Sequence, residues 1–201
     1  MKVQMRFQKI LAFVSLIIGA LSILLAIIFI SGDLAGMMYY ANDELDEGIT
    51  AFADLAQMFC DTMLVIGIVY LLCVVTLFIT DTNKRRNYYI TNYISTGLAA
   101  ASALVAAVFG LVMVSMLLGK FNGLDWENLT PIFEMMSTEG SDLYVGAPMV
   151  HQNPTMFIIG YVILLLPLLD VAALVLNLVW KIKLMKGEKE LLEKGLVKEV
   201  A

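Results

Sequence analysis

Histidine, cysteine and charge are all scarce in this chain, and each scarcity removes a class of chemistry. One histidine, His151, occurs in 201 residues, so a bis-histidine haem and a His-rich metal cluster are excluded. The two cysteines, Cys60 and Cys73, lie on one predicted helix, about 20 Å apart at the helical rise. A disulfide needs Cα atoms within about 7 Å, so they do not bridge each other. Phosphate-loop, dinucleotide, zinc-protease and serine-hydrolase signatures are missing. A net charge of −5 gives no basic surface for nucleic acid. No cofactor and no metal site is expected, and no nucleophile–base pair that would mark an enzyme is in view.

Only 15% of residues are charged while 60% are apolar, and mean hydropathy is +0.85. A soluble domain has roughly a quarter of its residues charged, because its surface faces water. The apolar residues here gather into long blocks. Four of them, about 10–30, 59–79, 93–118 and 155–180, reach the roughly 20 residues that cross a ~30 Å hydrocarbon core. Continuous blocks point to helices, whereas a membrane barrel shows short alternating segments. The predicted fold is therefore all-α: a single four-helix transmembrane domain over 1–201, with outer loops at 31–58 and 119–154 and a tail at 181–201. Lys2, Arg6 and Lys9 precede the first block as in a signal peptide. The block is longer than the usual 7–15 apolar residues and no small-x-small site follows Ile30, so it reads as a retained helix.

Charge placement gives an orientation. Of the 13 basic residues, 12 fall in 1–9, the 80–92 loop or the tail, and Lys120 alone falls in an outer loop. The positive-inside rule then places both termini in the cytoplasm of a cell membrane. Tyr88, Tyr89, Tyr93 and Trp180 read as inner aromatic anchors, and Phe59, Phe121 and Trp126 as outer ones. Residues 31–62 and 119–154 carry seven and five acids. In the first, Leu45, Ile49, Phe52, Ala56 and Phe59 recur at helical spacing. A helix capped by Asn42 or Asp43 and continuing as one rod to Ile79 is expected, with Glu47, Asp54 and Asp61 as an acidic stripe opposite the apolar face. In the second, Thr130-Pro131 reads as a helix start. Its apolar residues, Trp126, Ile132 and Phe133 among them, suggest a partly helical cap over the bundle. Tail residues Leu184, Leu191 and Leu192 read as a short amphipathic helix beside the inner leaflet.

Inside the spans, Ala99, Ala103, Ala106 and Gly110 form a small-residue seam for helix packing, or for self-association. Asp170 is the one ionisable group near the middle of a span, with Asn177 two turns on and Pro167 one turn before. Such a residue marks an ion or proton route, or ties helices together by hydrogen bonds; Ser15, Ser22, Tyr70 and Ser102 are its candidate partners. The outline of four spans with both ends inside is similar to that of claudin-like and tetraspanin proteins. The similarity is one of topology: paired loop cysteines and a Trp-Gly-Leu-Trp stretch are missing, and no residue carries over. The expected function is that of a non-enzymatic accessory subunit or interaction protein, contacting the lipid bilayer and another membrane protein or a second copy. The alternative is a small transporter or channel component that uses Asp170.

Overall fold

A computed structural model describes residues 2–31, 37–38, 41, 46–81, 88–138 and 152–193. Five helices make up the described chain: α1 (Lys2–Ser31), α2 (Ile49–Thr80), α3 (Ile90–Asn122), α4 (Trp126–Thr138) and α5 (Thr155–Glu193). Four of them, all but α4, are long and apolar enough to cross a membrane. They form a closed ring in which α1 packs on α2, α2 on α3, α3 on α5 and α5 back on α1. The exposed apolar residues, such as Ile17, Val65, Val108 and Leu169, stud the outside of this ring. That is the reverse of a water-soluble bundle, whose outer face is polar.

Close approach is set by glycine. A Cβ on Gly67 of α2 would lie 2.8 Å from Ile23 Cγ1 and 3.3 Å from the Ile23 backbone nitrogen of α1. One on Gly110 of α3 would collide with Leu164 of α5, which is itself fully buried. Ala99, Ala103 and Ala106 continue the Gly110 face and are fully buried. The small-residue seam therefore faces inward, onto the chain's own helices.

The core divides along the ring axis. At the end where α1 finishes and α5 begins, aromatics dominate: Phe29 meets Phe59 at 5.1 Å, and Phe121 meets Phe157 at 5.0 Å and Trp126 at 4.6 Å between ring centroids. Phe59 and Phe121 are fully buried, which corrects their reading as surface anchors. They fall on the same helical faces as Phe52 and Leu117, so helical phase decides their position and nearness to a span end does not.

Several boundaries also differ from the sequence reading. The first described residue of α2 is Ile49, and Glu47 stands in the turn before it. Asp46 explains this start. Its Oδ1 accepts from Gly48 N at 2.6 Å and its Oδ2 from Asp125 N at 2.7 Å, pinning the entry of α2 to the entry of α4. Asn42, Asp43 and Leu45 lie outside the described residues. α4 begins at Trp126, so Pro131 sits inside the helix. Asp125 supplies the cap, taking Asn128 Nδ2 at 2.6 Å on one oxygen and Asn128 N at 3.3 Å on the other. Leu129 and Phe133 of α4 are buried against the aromatic end of the bundle. α5 runs unbroken through Pro167 and on to Glu193, so the tail up to there is a continuation of the rod and not a separate helix. Its Lys and Glu residues are good helix formers and Gly187 alone weakens it.

The glycine contacts give a direct check. Gly67→Val and Gly110→Val are each expected to lower stability by about 1–3 kcal/mol through overpacking. Gly97→Val, where a Cβ would meet nothing within 4 Å, is expected to leave it unchanged. Melting in mild detergent measures all three.

Candidate functional site

Two tiers of buried polar groups cross the ring. The first is built on Asp170, halfway along α5 and 2% exposed. Ser15 Oγ of α1 lies 2.7 Å from its Oδ1, and Tyr70 Oη of α2 donates to its Oδ2 at 2.5 Å. Both partners are fully buried. The tier joins three helices through one carboxyl group. Ser15 Oγ also lies 2.9 Å from the Leu11 carbonyl, and a hydroxyl has a single proton to give. Either Ser15 donates to the carboxylate, or the carboxyl donates to Ser15 and Ser15 to Leu11. Both arrangements leave each oxygen of Asp170 engaged. Ser22 and Ser102 turn instead to carbonyls of their own helices, Ile18 and Ala99.

The second tier lies where α1 begins and α5 ends, two turns from the first. Asn177 belongs to it, together with three amides that the sequence reading passed over: Gln4 and Gln8 of α1 and Asn92 of α3. All four are fully buried. Gln4 Nε2 donates to Asn177 Oδ1 at 2.9 Å and to Gln8 Oε1 at 3.1 Å. Asn177 Nδ2 donates to Gln8 Oε1 at 3.1 Å, and Gln8 Nε2 to Asn92 Oδ1 at 2.8 Å. Asn92 Nδ2 passes the chain on to Thr80 Oγ1 of α2 at 2.9 Å, and Tyr88 Oη donates to Gln4 Oε1 at 3.0 Å. A primary amide carries both donors and acceptors, so a ring of amides can satisfy itself without water. This one ties together all four long helices.

Lys181 completes the tier from α5. Its side chain is fully buried, and Nζ donates to Asn92 Oδ1. The ammonium also stands 4.5 Å from the ring centroid of Tyr93 and 5.8 Å from that of Tyr88, within cation–π range. Across from it, Asp81 caps the end of α2. Asp81 is 2% exposed, and among the described residues neither carboxylate oxygen has a hydrogen-bond partner. Burial pushes its pKa up from 3.8 to about 6, and the charges of Lys9 and Lys181 pull it partly back down.

Helical phase carried the signal for the missed residues. Gln4 and Gln8 precede Leu11 and Ser15 at spacings of four, three and four, and Asn92 precedes Ala99 by seven. Lys181 follows Asn177 by four. Extending each inward face past the apolar block finds all of them. The acidic stripe has no such company. Glu47, Asp54 and Asp61 are exposed, and Asp61 accepts a 3.3 Å bond from Gln57 of its own helix. Among the described residues no group of three His, Cys, Asp or Glu is placed to hold a metal. Beside the start of α2, Gly48, Met116, Gly119, Lys120, Gly123 and Leu124 line an open groove of about 460 Å³.

Because Tyr70 and Asp170 share one bond, their substitutions are expected to be non-additive. Tyr70→Phe and Asp170→Leu should each cost about 0.6–2 kcal/mol, the range for interhelical hydrogen bonds in membranes. The double variant should lose less than their sum, with a coupling of about 0.5 kcal/mol or more. Thermal melting of the four proteins in one detergent measures the cycle.

No family model, no curated protein and no solved structure matches this chain, and its function is therefore read from its own residues.

Proposed function

We propose that the chain is a non-enzymatic, multi-pass protein of the cell membrane, with both termini cytoplasmic, that serves as an accessory subunit or interaction protein. It contacts its partner through the outer loops and the outer faces of its helices. The observation that supports this is how the buried polar groups are used. Asp170, the residue on which a transport reading rests, has both oxygens engaged by neighbouring helices, in the manner of a brace. The exposed carboxylates Glu47, Asp54 and Asp61 lie at or near the opposite end from the amide tier. There they present an acidic surface to a basic partner, and charge of this kind steers encounter and discriminates among partners. Orientation follows from the distribution of Lys and Arg.

Two experiments test the reading. In a cysteine-free background, a single cysteine at Ser141 is expected to react with an impermeant reagent added outside intact cells, and one at Asn83 is not. Both positions lie outside the described residues, in the 119–154 and 80–92 loops. The opposite labelling pattern rejects the orientation. For function, Glu47→Lys, Asp54→Lys and Asp61→Lys together are expected to change stability by no more than about 0.5 kcal/mol per site, as for surface substitutions generally. They should also release a partner that co-elutes with wild type from mild detergent. A wild type that elutes alone and carries an Asp170-dependent cation flux in liposomes would replace this reading with the transport one.

A further inference from the structure

The amide tier contains a lysine and an aspartate that are both buried and not joined. Lys181 and Asp81 are each at least 98% buried, yet among the described residues the Asp81 carboxylate has no hydrogen-bond partner and no ion pair, and Lys181 turns to Asn92 and the Tyr93 ring. An ionised carboxylate stripped of both water and partners is strongly disfavoured. Two ways of relieving it lie within the tier. Either Asp81 takes up a proton, or the lysine side chain swings across and pairs with it. Lysine suits such a role, since its ammonium is a compact charge on a flexible four-carbon stem.

We propose that Lys181 is a two-position, proton-controlled latch at the end of the bundle where α1 begins. With Asp81 protonated, Lys181 stays in the cage of Asn92, Tyr93 and Tyr88, as in this structure. With Asp81 ionised, the ammonium leaves the cage for the carboxylate, and Asn92 is released from α5. The groups that face Asp81 are Lys9 from α1 and Lys181 from α5. Tyr93 and Tyr88 belong to the cage beside α3, and Glu188 of α5 stands within electrostatic reach of Tyr88. Lys84, Arg85 and Arg86 follow Asp81 in the sequence and lie outside the described residues. Asn92 is the crossing point of the tier, accepting from Gln8 as well as from Lys181 and donating to Thr80. Moving Lys181 therefore changes what holds α5 to α3, and the proton state of one carboxyl becomes a change in helix packing.

The pH window follows from Asp81 itself. Folded, it keeps its proton up to about pH 6; unfolded, only to about 3.8. Between those values the native state binds more protons, so this group's contribution to stability falls as pH rises through the window and is level above it. The test uses full-length protein in nanodiscs with Trp126→Phe, which leaves Trp180, the neighbour of Lys181, as the single tryptophan. Its emission and the melting temperature are followed from pH 4.5 to 8. The expected result is a sigmoidal change in emission with a midpoint near pH 6, and melting temperatures that fall across the same window. Asp81→Asn and Lys181→Met should each abolish the emission change, and Asp81→Asn should melt higher than the parent at pH 7.5. Lys84→Gln, Arg85→Gln and Arg86→Gln together should leave the midpoint in place. A flat parent titration, a midpoint that survives Asp81→Asn, or its loss in the triple loop variant would each overturn the latch.

Discussion

A polar side chain inside an apolar bundle has no water to fall back on, so its partner must come from another helix or from its own backbone. The amide ring of Gln4, Gln8, Asn92 and Asn177 meets this demand across helices, and the arrangement of the bundle depends on it. Apolar contacts alone tolerate sliding and rotation of helices by small amounts, since one leucine replaces another at little cost. Amides do not tolerate it. Each must present its donor and its acceptor to a defined neighbour, and a rotation of one helix by a single residue would strand several of them at once. The ring thus fixes which faces of α1, α3 and α5 turn inward.

The two polar tiers and the aromatic end divide the labour along the axis. Phe29, Phe59, Phe121 and Phe157 fill volume and bind α1, α2, α3 and α5 together without directional demands. The Asp170 tier, halfway along α5, adds a point at which three helices are held in register by a short bond. The amide tier then closes the far end, with an ammonium among its members. Specificity rises from the aromatic end to the amide end. Asp46 supplies the remaining link by accepting from both Gly48 and Asp125, so the short helix α4 is attached at its start to the start of α2.

Hydropathy made the four long helices legible, because blocks of this length have few other readings. That Ala99, Ala103, Ala106 and Gly110 share one face was also legible, since small residues at helical spacing amid larger ones mark a place of close approach; that this face turns onto the chain's own helices was not. The helix ends were harder to read. α1 and α5 extend well past the apolar blocks because Gln, Lys and Glu prolong a helix as readily as leucine does, and hydropathy is blind to that. The same blindness hid Gln4, Gln8, Asn92 and Lys181, which sit beyond the apolar blocks and look like interfacial residues until their helical phase is followed. Nothing local reports the Asp81–Lys181 relation, which depends on how the end of α2 meets α5. Phe59 and Phe121 show the converse error, in which proximity to a span end suggests an anchor and phase decides for the core.

The ring closes between α1 and α5, the first and last of the described helices. Gln4 and Asn177 are 173 residues apart, and Ser15 and Asp170 are 155 apart. At ribosomal speeds of about 5–20 residues per second, α1 exists for roughly 10–30 s before its α5 partners are made. During that interval its polar groups still find company within the helix. Gln4 donates to Gln8 one turn on, while Ser15 and Ser22 reach the Leu11 and Ile18 carbonyls one turn back. α1 is therefore a helix that can wait: its polar groups have partners within it while the following helices are synthesised, and bonds to α5 are added to these when α5 arrives.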